Sequence, residues 1–238
     1  MATSGKTRNN TAALGTEDIL LSLCNSVSHV LTAATQTPVH YSGMVQRINR
    51  TSLKPDIGCF VLFDGGFSGL VVLNFSAQAA MELYESYMLG MGMSKGDLAT
   101  SYTSDDVSNV MGELMNQIVG DFTRKVSQEL QTHITQNQPK MLALNKQVIL
   151  SVDANLDRPE VRRVTFYTKQ SNIFYLELAI DHTRFIKLCD FEQETLNPEE
   201  LFNQAEQSIS AAAAAPSNNP PENGGVHDSD ELLKSLGM

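Results

Sequence analysis

Cysteine is scarce in this chain and poorly placed for cross-linking. Cys24, Cys59 and Cys189 are odd in number and far apart, which excludes a disulfide framework and a zinc knuckle. Each reads as a small buried hydrophobe. His29, His40, His133, His182 and His227 show no ligand spacing such as His-Glu-x-x-His, so no metal of the protein's own is expected. Cationic side chains are outnumbered, 17 Lys and Arg against 27 Asp and Glu, and the net charge of -10 excludes the basic surface that nucleic acid requires. No apolar run approaches the length of a membrane span, and the opening M-A-T-S-G-K-T-R-N-N lacks the apolar core of a secretory signal. These absences predict a cytosolic protein with neither nucleic acid nor membrane as partner. What is present, 42% hydrophobic and 18% charged residues over 238 positions, is ordinary for a globular chain with a substantial core.

The most informative stretch runs from Ser104 to Pro139 and reads as one long amphipathic helix. Val107, Val110, Met111, Leu114, Met115, Ile118, Val119, Phe122, Val126 and Leu130 recur at three- and four-residue steps. Ser104 is suited to the N-cap, and Asp105 and Asp106 to the positive end of the helix dipole. The opposite face carries Asn109, Gly112, Glu113, Asn116 and Gly120. Glycine on an exposed helix face costs about 1 kcal/mol relative to alanine. Two glycines bracketing a carboxylate and a carboxamide therefore point to something that must approach closely. The chemistry that fits is attack of water on a phosphoryl group, where positioning and charge stabilisation dominate. A neutral amide accepts a hydrogen bond from that water without opposing the phosphoryl oxygens with a negative charge, a role for Asn116. Glu113, one turn earlier, is placed to pair with a cation on the partner and set the register.

At these residues the chain resembles the CheC/CheX/FliY family of chemotaxis phosphatases, whose signature is Asp or Ser, three residues, Glu, two residues, Asn, twenty-two residues, Pro. Glu113, Asn116 and Pro139 stand at those spacings, and Asn109 occupies the first position, where the family has Asp or Ser. The resemblance implies hydrolysis of the aspartyl phosphate of a CheY-type response regulator. The regulator would supply the phospho-aspartate, Mg²⁺ and a lysine; Glu113 would pair with the lysine and Asn116 would align the water. Asn109, Gly112 and Gly120 are expected to touch the partner. A homodimer is implied as well. In the first helix Ser22 and Asn25 hold the corresponding spacing with no proline at the right distance, so a single site is expected, as in CheX-type members.

Along the rest of the chain, residues 1–15 are polar and small and are expected to be disordered. A second amphipathic helix spans Glu17 to about Gln36, with Thr16 as cap and Pro38 as stop. Strand-like runs follow at about 39–49, 57–64 and 68–75, the last two joined as a hairpin at Gly65-Gly66. A bridging helix runs from Ala77 to about Met91. After the central helix come strand-like runs at about 140–152, 160–168 and 172–181, with a turn at Gln170, Ser171 and Asn172. Short helices are predicted near 183–189 and 197–208. The fold class is therefore α+β: two helix-plus-three-strand units, a pseudo-duplication, forming an antiparallel sheet with two long helices on one face. The CheC/CheX fold has this arrangement, and the phosphatase-like domain is expected to span residues 16–208.

Beyond Ser208 the composition shifts to a low-complexity linker, residues 209–227, with a reach of about 25 Å as a flexible coil. The final segment, D-S-D-E-L-L-K-S-L-G-M, brings hydrophobicity back. Leu232, Leu233 and Leu236 share one side of a short helix, with Asp228, Asp230 and Glu231 at its N-terminal end. Residues 228–238 are similar to the C-terminal peptide of CheZ, an unrelated CheY phosphatase: acidic residues, Leu-Leu, Ser-Leu-Gly and a terminal apolar residue, here Met238. The resemblance implies a docking peptide for the regulator. The leading expectation is thus a response-regulator phosphatase. The alternatives are a non-catalytic regulator-binding adaptor, favoured by Asn109, and a component associated with the flagellar switch.

Overall fold

Two apolar helix stripes are buried against one side of a single antiparallel sheet. The computed structural model describes residues 13–186 apart from Asn145 and Thr183. In chain order the elements are β1 (Ala13–Leu14), α1 (Thr16–Thr35), β2 (His40–Arg47), β3 (Thr51–Leu53), β4 (Ile57–Gly65), β5 (Gly69–Phe75) and α2 (Ala77–Gly90). A 3-10 turn (Lys95–Asp97) leads to α3 (Asp105–Leu130). Then follow β6 (Ile134–Gln136), β7 (Lys140–Ala143), β8 (Leu150–Val152), β9 (Glu160–Tyr167), β10 (Ile173–Ile180) and β11 (Phe185–Ile186).

The strand order β2-β9-β10-β5-β4, with β6 and β7 both paired to the far side of β4, displays the duplication. The first unit contributes β2, β4 and β5, the second β7, β9 and β10. Each unit's first strand crosses over to edge the other unit: β2 pairs with β9 and β7 with β4. The units join at β5 and β10, where Leu73 lies opposite Leu176.

Ile19, Leu20, Leu23, Cys24, Val27 and Leu31 of α1 and Val107, Met111, Leu114, Met115, Ile118, Val119, Phe122 and Val126 of α3 are buried. They meet alternate strand residues: Ile57, Cys59, Val61 and Phe63 of β4, Val71, Leu73 and Phe75 of β5, and Phe174, Leu176, Leu178 and Ile180 of β10. Each large apolar side chain fully removed from water contributes about 1.5–3 kcal/mol, so these stripes fix which face of α3 is left outward. The sheet's other side has a smaller cluster of Leu53, Leu70, Val72, Leu144, Val161 and Ala179, beside the β3–β8 ribbon. There the fully buried Glu177 accepts from the Ser52 N–H at 2.9 Å and pairs with Arg163 at 2.7 Å and Lys54 at 3.3 Å.

Several local expectations are corrected. Gly15, not Thr16, is the N-cap of α1; its N–H donates to the Asp18 carboxylate at 2.9 Å, and Thr16 is buried as the first helical residue. Ala13 and Leu14, inside the segment expected to be disordered, pair with β11, and Phe185–Ile186 is strand where a helix was predicted. A backbone partner across the pair outweighs the weak local preference of either segment. The helix 197–208 lies outside the described residues. The central helix stops at Leu130, short of Pro139, because Gln131 turns left-handed (φ 50°) and its N–H donates to the Ser127 carbonyl. Ile134 and Thr135, β-branched, then continue as strand. The run 140–152 divides into β7 and β8, which serve different partners, β4 and β3.

The Gly65-Gly66 hairpin is present, and both glycines are required by close approach. A Cβ at Gly65 would collide with the His133 carbonyl, and one at Gly66 with the Thr132 hydroxyl. At the predicted turn, Ser171 has φ 64°. The buried Glu82 of α2 clamps this turn, accepting from the Gln170 N–H at 3.0 Å, the Asn172 amide at 2.9 Å and the Thr168 hydroxyl.

Candidate functional site

The outward face of α3 forms one wall of an open groove of about 340 Å³, lined by Ser108, Asn109, Gly112, Glu113, Asn116, Gln138, Pro139 and Met141. At 100° per residue, positions 109, 113, 116 and 120 fall within about 60° of one another around the helix, and Asn109 and Asn116 lie about 10 Å apart along it. The opposite wall comes from the segment that joins β6 to β7, so Pro139, distant from Asn116 in sequence, stands across the groove from it.

Ser104 caps the helix as predicted, its hydroxyl accepting from the Val107 N–H at 3.3 Å. Buried Met111, Leu114, Met115 and Ile118 on the far side hold α3 in one rotation about its axis. In that rotation Glu113 and Asn109 are exposed and Asn116 is half-buried. The Glu113 carboxylate accepts from the Gln117 amide at 2.9 Å. Among the described residues no group hydrogen-bonds the Asn116 carboxamide, which leaves its oxygen and both amide hydrogens for whatever enters the groove. A Cβ at Gly112 would touch Met141 Cγ at 3.6 Å, whereas at Gly120 it would meet nothing within 4 Å. Thus a methyl group at Gly112 would make ordinary contact with the groove wall, and Gly120 lies on an open surface. Gly120 is not among the groove's lining residues.

Among the described residues the lining holds one carboxylate, three carboxamides (Asn109, Asn116, Gln138) and no cation. One carboxylate is a poor donor set for a resident divalent ion, whereas the amides suit hydrogen bonding to water and to phosphoryl oxygens. Among the described residues no three His, Cys, Asp or Glu side chains are grouped to hold a metal. Burial raises the Cys24 thiol to about 12 and raises Cys59 as well, so both stay protonated and act as core hydrophobes. Cys189 lies outside the described residues, as do Asp230, Glu231, Leu232, Leu233, Leu236 and Met238 of the C-terminal segment.

Sequence reasoning missed Ser108, Gln138 and Met141 as groove residues. Ser108 shares the helix face, but Gln138 and Met141 reach the groove only through the β4 pairing of the following strands, which no helical period encodes.

Among the described residues, no helix is long and apolar enough to cross a membrane. No curated protein matches this chain. Solved structures do. The chemotaxis protein CheX of Desulfovibrio desulfuricans superposes with a TM-score of 0.57 at 18% identity, covering 69% of this chain and 99% of that one. CheX of Vibrio vulnificus gives 0.57 at 13% identity, covering 69% and 99%. A complex of CheX with CheY, BeF3 and Mg²⁺ from Borrelia burgdorferi gives 0.53 at 15% identity, covering 69% and 98%. The fold is therefore that of the CheC/CheX proteins, as the order of helices and strands and the family resemblance implied. Residues 10–238 match the family described as "Protein of unknown function (DUF3334)", and the chain belongs to that family.

Proposed function

We propose that this protein is a cytoplasmic phosphatase of a phosphorylated CheY-type response regulator. The observation that carries the reading is the half-buried Asn116 carboxamide, without a hydrogen-bond partner among the described residues, in a groove shared with Glu113. In support, one protein of the same fold is found in a complex with CheY. The partner brings the aspartyl phosphate, with its Mg²⁺ and a lysine, and Glu113 pairs with that lysine. The Asn116 oxygen accepts a hydrogen bond from a water molecule and directs its lone pair at phosphorus. The new phosphorus–oxygen bond forms as the bond to the aspartate oxygen breaks, the carboxylate leaves with the bonding electrons, and the water proton ends on inorganic phosphate. Asn109, Gly112 and Gly120 border the approach. The segment 228–238, tethered by 209–227, recruits the regulator by raising its local concentration towards the millimolar range. Two copies of the chain act as a homodimer, a state read by light scattering.

The test is the decay of radiolabelled phosphate on a panel of response regulators with and without the protein. Asn116→Ala should bind the regulator but lose the acceleration, and deletion of residues 209–238 should weaken binding with saturated turnover nearly unchanged. Full activity in Asn116→Ala would falsify the assignment. Asn109 at the first signature position favours a second reading, a regulator-binding adaptor, which predicts measurable binding and unchanged decay.

A further inference from the structure

The groove's second wall contains an irregularity with a direct consequence for the side chain it presents. Phe63 of β4 faces Gln136, and Phe60 faces Lys140. Three steps along β4 are thus matched by four along its partner, so one extra residue is inserted between β6 and β7. Asn137 is locked to β4 on both sides of Leu62: its N–H donates to the Leu62 carbonyl at 3.0 Å and its side-chain oxygen accepts from the Leu62 N–H at 3.0 Å. The extra residue therefore falls at Gln138-Pro139, a β-bulge. Bulges re-aim side chains and are common beside functional sites. Proline tolerates the place because it has no N–H to leave unpaired, and it restricts the residue before it to extended backbone. Gln138 is exposed, lines the groove with Asn116, and has no hydrogen-bond partner for its carboxamide among the described residues.

We infer that the bulge at Pro139 presents Gln138 as a second partner-contacting amide, whose N–H donates to an oxygen of the docked phosphoryl group. The inference rests on the proposed phosphatase reading. It follows from charge: among the described residues the groove offers an incoming phosphoryl group one carboxylate and no cation, so the side-chain donors they supply are amides and a single hydroxyl, that of Ser108. With the Asn116 oxygen engaged by water, the Gln138 amide is, among the described residues, the side-chain donor that the facing wall supplies. Asn116 then governs turnover and Gln138 governs binding of the phosphorylated form.

The experiment is steady-state dephosphorylation of the panel's most responsive CheY-type regulator, phosphorylated from radiolabelled acetyl phosphate. Wild type is compared with Gln138→Ala, Gln138→Glu and Asn116→Ala. Loss of a hydrogen bond to a charged group predicts a KM about tenfold higher in Gln138→Ala with kcat within about twofold of wild type. Gln138→Glu, which sets an anion against the phosphoryl oxygens, should raise KM further. Thermal melting of both should match wild type, since the side chain is exposed. A residue that merely shapes the bulge would not separate Ala from Glu. If both Gln138 variants keep wild-type KM and kcat while Asn116→Ala is inactive, the inference is overturned and the phosphatase reading stands. If wild type accelerates no regulator's decay, both fall.

Discussion

The Tyr41 hydroxyl donates to the Asn25 side-chain oxygen at 2.7 Å, tying the asparagine of α1 to the edge strand β2. Asn116, the asparagine of α3, has no such internal partner among the described residues. The pseudo-duplication therefore places a comparable amide on each helix, but among the described residues only that of Asn25 has a hydrogen-bond partner. On the proposed reading α1 carries no second site: the Asn25 oxygen already accepts a hydrogen bond, and no proline follows it at the required distance.

That difference predicts that Asn25→Ala leaves regulator dephosphorylation at the wild-type rate. The cost should be confined to stability, about 1 kcal/mol for one exposed hydrogen bond, read by urea denaturation. A rate loss in Asn25→Ala comparable to that of Asn116→Ala would show that both helices are catalytic.

Glu177 predicts a much larger stability effect far from the groove. Its carboxylate is fully buried and answers two cations, Arg163 and Lys54, whose side chains are 21% and 26% exposed. Glu177→Ala leaves both cations and the Ser52 N–H without their acceptor. A loss of about 3 kcal/mol is expected, at the low end for a broken buried pair because the cations retain some water. Equilibrium unfolding measures it, and a loss under 1 kcal/mol would mean that water replaces the carboxylate.

Acid should weaken the contact between the two long helices. Asp121 of α3 pairs with Lys125 at 2.5 Å and with Arg124 at 2.9 Å, and Lys125 Nζ also reaches Ser26 of α1 at 3.4 Å. Partial burial pushes its carboxyl up, but hydrogen bonds from Lys125, Ser26 and Arg124 and the Lys125 charge outweigh this and hold it below the usual carboxylate range. A lowered pKa in the folded state gives stability that is fully present above the unfolded value and fades as pH falls through the folded one. Asp121→Asn should thus be less stable than wild type at neutral pH, with the difference shrinking below about pH 4. Unfolding midpoints measured between pH 7 and pH 2 test this, and a difference that does not change with pH would remove the charge explanation.

How far the chain was readable depended on the length of each signal. The stripes from Ile19 to Leu31 and from Val107 to Val126 repeat over several turns, so both long helices and the outward face of α3 were legible. The hairpin at Gly65-Gly66 was legible because its residues admit little else. Thr51–Leu53, Ile134–Gln136 and Leu150–Val152 were not read as separate strands, since three residues cannot establish an alternation and each depends on a partner distant in sequence. The site divided in the same way. Glu113, Asn116 and their glycines follow from one helical period, whereas Gln138 enters through a register shift between strands.

Gly120 offers a test in which stability and function move in opposite directions. A methyl group there meets no atom within 4 Å, so Gly120→Ala replaces a poor helix former with the best one at no steric cost. Stability should rise by about 1 kcal/mol. If the α3 face receives the regulator closely at this position, the same methyl group intrudes on the docked partner and raises KM for dephosphorylation while kcat changes little. Thermal melting and steady-state kinetics on one preparation read both effects. A more stable variant with unchanged KM would move the docking footprint away from Gly120, towards the end of the groove at Asn109.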